Sequence, residues 1–131
     1  MDMIRGVARF KHPQGLVFNG SSKLFVADTE NETIRQIDLG AGTTSTLAGA
    51  AGMPGTANGG GSNARFWEPM GLTWDGANLY VADSVNDTLR EIDVASTSVT
   101  TVAGTAGAAG SSDGVDGASS FRSPVAVTPT R

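Results

Sequence analysis

The chain has no cysteine and a single histidine, His12, and aromatic residues make up only 6% of its 131 positions. Without cysteine there are no disulfides and no thiolate metal sites, an absence that fits either redox compartment. With one imidazole per chain, no His-based catalytic or metal constellation assembles within one copy. Only copies of His12 recurring around a symmetry axis would bring several imidazoles together. No apolar run approaches the roughly 18 residues of a membrane-spanning helix. The start, Met1-Asp2-Met3-Ile4-Arg5, lacks the apolar middle region of a secretory signal. Basic residues are also scarce, 9 Lys and Arg against 13 Asp and Glu, for a net charge of −4. That balance argues against a nucleic acid held by phosphate contacts.

What the chain does have is repetition. Ala8-Arg9-Phe10 with Pro13 returns as Ala64-Arg65-Phe66 with Pro69, and the Phe and Pro recur once more as Phe121 and Pro124. Leu24-Phe25-Val26-Ala27-Asp28 becomes Leu79-Tyr80-Val81-Ala82-Asp83, and Thr33-Ile34-Arg35-Gln36-Ile37-Asp38 becomes Thr88-Leu89-Arg90-Glu91-Ile92-Asp93. A repeat of this length is a supersecondary unit that cannot bury its own apolar faces and needs stacked neighbours.

Each unit reads as an antiparallel meander of four strands. Pro13 opens a short extended segment to Phe18, since proline suits the first position of a strand. Asn19-Gly20 and Asp75-Gly76 stand at hairpin positions whose central residues both take positive φ. Lys23 to Asp28 is nearly continuous in apolar residues, as a strand buried on both faces requires. A polar turn leads to a third strand from Thr33 to Leu39, and Thr43 to Leu47 is β-branched enough for a fourth. Between units, 48–68 and 103–123 are rich in Gly, Ala, Ser, Asn and Asp, which predicts loops. Phe10, Phe66 and Phe121 end these ties and are expected to anchor them against a sheet.

Repeated four-stranded sheets with such connections predict an all-β fold of β-propeller blades. The motifs Pro-x-Gly-Leu, Leu-Phe/Tyr-Val-Ala-Asp-Thr/Ser-x-Asn and Ile/Leu-Arg-x-Ile-Asp, with the Leu-Ala-Gly…Ala-Arg-Phe tie, resemble the bacterial-type NHL repeat. The likeness covers nearly the whole chain. It implies a leader and tie end at 1–12, blade 1 at 13–49, a tie at 50–68, blade 2 at 69–105, a tie at 106–123 and the start of a third blade at 124–131. NHL domains commonly close with six blades, so three copies of a two-blade chain would complete one ring. The tail Pro124-Val125-Ala126-Val127 then duplicates the opening strand at Pro13 to Phe18, and the head is expected to hold the innermost position.

Chemistry-bearing positions are few. Asp28 and Asp83 follow buried Val-Ala steps, and their carboxylates are expected to accept backbone N–H groups of the turn that follows. Arg35 with Asp38, and Arg90 with Asp93, are expected to form polar links between blades. Asp113-Gly114-Val115-Asp116-Gly117 lacks the ligand alternation of a calcium loop and reads as a flexible acidic loop. The triplets at Asn19, Asn31 and Asn86 match the glycosylation pattern, as turns rich in Asn and Thr do by chance.

The expected function is a non-catalytic binding or scaffolding module without cofactor or metal. Its partners are copies of itself, a homotrimer being favoured, and a protein or small ligand on one propeller face, but no nucleic acid and no membrane. Contact is expected where the repeats differ, at Trp67 (against Lys11), Val85 (against Asn31) and Met70 (against Gln14), with Trp67 packed beneath Met53-Pro54 as its structural alternative. The competing readings are a propeller enzyme or metal-binding ring with a site at the central channel, and an inactive fragment of a longer propeller.

Overall fold

The computed structural model describes residues 3–4 and 8–106. Their fold is all-β, built from two antiparallel sheets. The first takes β1 (Met3–Ile4), β2 (Gly15–Phe18), β3 (Lys23–Asp28), β4 (Thr33–Asp38) and β5 (Thr43–Gly49), in the order β1-β5-β4-β3-β2. The second takes β6 (Gly59–Gly60), β7 (Pro69–Trp74), β8 (Asn78–Asp83), β9 (Thr88–Asp93) and β10 (Ser98–Ala103), in the order β6-β10-β9-β8-β7. Both are meanders of the kind that form propeller blades, and they are called blade 1 and blade 2 below.

The expected count of four strands is short by one in each sheet. Met3–Ile4 pairs with β5, and Gly59–Gly60 pairs with β10 at the matching place of the next repeat. The tie at 50–68 is therefore not loop throughout: it lays two residues along the outer edge of blade 2 and then makes a 3-10 turn at Gly61–Asn63. Composition hid this strand, because two glycines carry no side-chain pattern and only the neighbouring strand's free edge recruits them. Phe121, the tie at 106–123 beyond its first residue, and the third opening strand at 124–131 lie outside the described residues.

The hairpins are also built differently from expectation. Gly20 and Gly76 take positive φ (85° and 107°), but Asn19 and Asp75 do not. The Asn19 side-chain oxygen instead accepts the N–H groups of Ser21, Ser22 and Lys23, and Asp75 Oδ1 accepts those of Ala77 and Asn78. These side-chain turns span more residues than the two-residue hairpin that the dipeptides suggested.

The core lies between the sheets. Period-2 alternation sends Val17, Phe25, Ala27 and Ile34 to the face of blade 1 that meets blade 2. Blade 2 answers with Leu72, Trp74, Leu79, Val81, Ile92 and Val99. Phe25 and Trp74 stack with ring centroids 5.5 Å apart, an arrangement worth about 0.5–1.5 kcal/mol beyond burial. Gly15 is required by close approach: a Cβ there would lie 2.2 Å from the Met70 carbonyl oxygen. Each fourth strand carries a register shift, opposite Ile34/Arg35 in blade 1 and at Thr101/Ala103 in blade 2, so the irregularity itself is repeated.

Candidate functional site

At one end of the sheets, β3 and β8 finish in buried carboxylates, Asp28 and Asp83. Asp28 accepts the backbone N–H of Lys11 (2.7 Å), the Asn31 side-chain amide (2.8 Å) and Arg35 Nη1 (3.3 Å). Asp83 repeats the set with Trp67 N–H (2.8 Å), Asn86 (2.7 Å) and Arg90 Nη1 (3.0 Å). The same guanidinium nitrogens donate to the Arg9 and Arg65 carbonyls, and Arg90 Nη2 adds Ala57 O and Asn58 Oδ1, both at 2.8 Å. Each guanidinium also lies over the Phe of its own tie, 5.2 Å from the Phe10 centroid and 5.1 Å from that of Phe66. Burial pushes the Asp83 carboxyl up and the Arg90 guanidinium down, while the Trp67 and Asn86 donors and the Arg90 charge pull Asp83 back. The chemistry of this cluster is to tie a loop to a strand.

Two expectations are corrected here. The backbone N–H on each carboxylate comes from the preceding tie, at Lys11 or Trp67, rather than from the turn that follows. The arginines pair within their own blade with Asp28 and Asp83, not with Asp38 and Asp93. Residues three apart on a strand point to opposite faces, whereas Asp28, paired with Thr33, shares the face of Arg35. Asp38 and Asp93 instead accept hairpin N–H groups, from Ala41 at 3.0 Å and Ala95 at 3.1 Å.

The sequence reading assigned no role to Glu32. This nearly buried residue has φ 65°, and its Oε2 accepts the Glu68 N–H at 2.7 Å across the seam between blades. Thr29 Oγ1 donates to the Pro69 carbonyl at 2.7 Å beside it. Burial is the main reason the Glu32 carboxyl is raised; the Glu68 N–H opposes, and the charges of Glu68, Asp83 and Glu30 add to the rise. The available signal was Asp87 at the matching place, an acid kept in a turn where Glu30 gives way to Val85. Asn31 and Asn86, whose triplets match the glycosylation pattern, are the amides that hold Asp28 and Asp83.

The rim of this end is where the repeats part. Val85 N–H donates to Trp67 O at 3.1 Å, and Glu30 N–H donates to Lys11 O at 3.1 Å. Val85 is therefore the counterpart of Glu30, not of Asn31. The first repeat presents Lys11 and a His12 ring hydrogen-bonded to Glu30. The second presents Trp67 and Val85, 43% and 39% exposed. Trp67 is thus not buried beneath Met53-Pro54, and Met53 is itself exposed. Met70 is half-buried, with its carbonyl over Gly15 at the seam. Phe66 is fully buried as expected of an anchor, but Phe10 is 36% exposed. The difference has a plain cause: Phe66 lies in the core between the blades, and Phe10 is on the face of blade 1 that blade 2 does not cover. Among the described residues, no three His, Asp or Glu side chains gather as a metal site, and no helix is long and apolar enough to cross a membrane.

No family model matches the chain. NHL repeat-containing protein 2 of Bos taurus is 38% identical over 105 residues, covering 72% of this chain and 14% of the bovine protein. Its Homo sapiens counterpart is 37% identical over 105 residues, with the same coverage. The chain thus spans about one seventh of the length of these relatives. Among solved structures, a structural genomics protein of unknown function from Bacteroides thetaiotaomicron superposes with a TM-score of 0.80 at 26% identity. That match covers 89% of this chain and 30% of the other. An auxiliary nutrient binding protein from the same species superposes with a TM-score of 0.74 at 17% identity, over 88% of this chain and 31% of the other, and shows the fold alone. With its two in-register repeats and these relatives, the chain belongs to the NHL-repeat family.

Proposed function

We propose that this chain is a non-catalytic propeller module that binds a partner at its loop-bearing rim and closes its ring with copies of itself, three two-blade chains supplying six blades. One observation carries the ring reading. The face of blade 2 made by Leu72, Trp74, Leu79 and Ile92 is packed against blade 1, while its counterpart on blade 1 leaves Leu16 65% and Phe18 48% exposed. Apolar surface in water costs roughly 25 cal/mol per Å², so a covered face is favoured. The rim reading is supported by the exchange of Lys11 and Glu30 for exposed Trp67 and Val85. Aromatic anchors ringed by polar groups are typical of protein contact sites. The non-catalytic reading is supported by the use made of the repeated acids, since Asp28 and Asp83 each hold three donors of their own chain.

Light scattering on the purified chain tests the ring: a mass near three times 13.3 kDa supports it, and a mass of one chain at every concentration removes it. Trp67→Lys with Val85→Glu gives blade 2 the rim of blade 1 and tests the contact site. This variant is expected to keep the native mass while losing an interacting protein that the native rim retains. Equal retention by both forms would discard the rim.

A further inference from the structure

The seam between the two blades is a template for a second seam. Building on the ring reading above, we infer that blade 1 of one copy docks on blade 2 of another with the same register of side chains, Phe18 stacking on Tyr80 of the second copy. Repeat equivalence identifies the pair. Phe18 matches Trp74 and Tyr80 matches Phe25, the two rings that stack at 5.5 Å inside each chain. Strand register agrees: Phe18 is level with Leu24 and Ile37, as Trp74 is level with Leu79 and Ile92.

The exposed face of blade 1 has the shape such docking needs. A groove of about 300 Å³ lies among Phe10, Pro13, Leu16, Val26 and Ile37. Their counterparts Phe66, Leu72, Val81 and Ile92 pack inside the chain against Ala27 and Ile34. The residues of a second copy that match Ala27 and Ile34 are Ala82 and Leu89, and Leu89 fills the groove. Docking also buries Phe10, the anchor left half-covered at the front of the chain. The polar clasp repeats as well: Thr29 donates to the Pro69 carbonyl within the chain, and Ser84 of the second copy, its counterpart, donates to the Pro13 carbonyl of the first. The receiving face is more polar than its template, with Thr73 for Val17 and Glu91 for Gln36. The stack tolerates this, because the Tyr80 hydroxyl is already bonded to Asp75 of its own hairpin at 3.1 Å and asks for no new partner.

A seam of this kind is head-to-tail, joining different surfaces of the two copies, and such contacts close into rings when the rotation per copy permits. It therefore permits complementation. Phe18→Asp removes the docking face but keeps Tyr80; Tyr80→Asp does the reverse. Each full-length variant alone is expected to scatter light as a single chain. Mixed in equal amounts at a concentration where the native chain is fully assembled, they retain one intact seam and form a species of two chains. Recovery on mixing also proves that both variants fold, and Tyr80→Phe, which keeps the ring, is expected to hold the native mass. A native three-chain mass with either Asp variant still fully assembled, or with no association on mixing, overturns this pairing and leaves the ring reading standing. A native chain that stays single sinks both.

Discussion

Asp83 and Arg90 meet at 3.0 Å inside blade 2, both side chains buried, seven positions apart on adjacent strands. Arg90 also holds the carbonyls of Ala57 and Arg65 and lies over Phe66, so one guanidinium joins two strands to the tie between blades. Removing one partner of such a pair strands the other charge. Arg90→Ala is expected to lower stability by about 3–5 kcal/mol in urea titrations. Arg90→Lys recovers only part, because an ammonium has no planar fork to reach its partners together. A loss below about 1 kcal/mol for Arg90→Ala, the scale of an ordinary hydrogen bond, would contradict the account.

Gly15 and Gly20 separate close approach from backbone freedom. A Cβ at Gly15 would press on the Met70 carbonyl of blade 2, while one at Gly20 meets nothing within 4 Å but sits at φ 85°. Gly20→Ala is expected to cost about 1 kcal/mol, the left-handed backbone penalty alone. Gly15→Ala is expected to cost more, about 1–3 kcal/mol, because the blades must part. Thermal melts of the two variants rank them, and the reverse order would refute the seam geometry.

Thr97 holds φ 62°, a region that a β-branched residue rarely enters, where the first repeat has Gly42 at φ 72°. Thr97→Gly removes that strain and is expected to raise stability by about 1 kcal/mol, less the entropy that glycine adds to the unfolded chain. The Gly61 N–H bond to the residue 97 carbonyl, 2.7 Å, is made by the backbone and survives the change. A destabilised variant in chemical melts would show that the Thr97 hydroxyl matters more than the backbone.

Glu32 makes the seam sensitive to pH. Its carboxyl is raised above the ordinary 4.5, with burial the largest cause, so the folded chain holds this proton more tightly than the unfolded chain. The group's contribution to stability is therefore greatest below its unfolded value and falls as pH rises through its folded value. Glu32→Gln keeps an oxygen for the Glu68 N–H without the charge. Its stability relative to the native chain is expected to improve as pH climbs through that window. Glu32→Ala gives up the acceptor and is expected to lose about 1 kcal/mol at neutral pH. Melts across that range check both, and a native chain that gains on the Gln variant with rising pH would reverse the sign.

The meanders were readable before any coordinates because a duplicated pattern marks its own boundaries. Lys23–Asp28 forms a strand over its nearly continuous apolar run, although among the described residues only its Phe25–Ala27 face meets a second sheet. The edge strand at Gly59–Gly60 was not readable, because glycine has no side chain to show which face it serves. The partner of Arg35 was misassigned for a related reason. Asp38 is nearer in sequence, but strand alternation turns it to the opposite face, and only pairing with β3 brings Asp28 level.

The four-strand meander of each repeat was thus legible in the sequence, because alternation and repetition are local properties of a chain. Tertiary structure alone decided that Glu32 would grip Glu68, that the Met70 carbonyl would lie on Gly15, and that Trp67 and Val85 would share an exposed rim. Those contacts join positions far apart in the chain. Which of them meet depends on register and on how one sheet twists over the next, and no stretch of residues carries that information by itself.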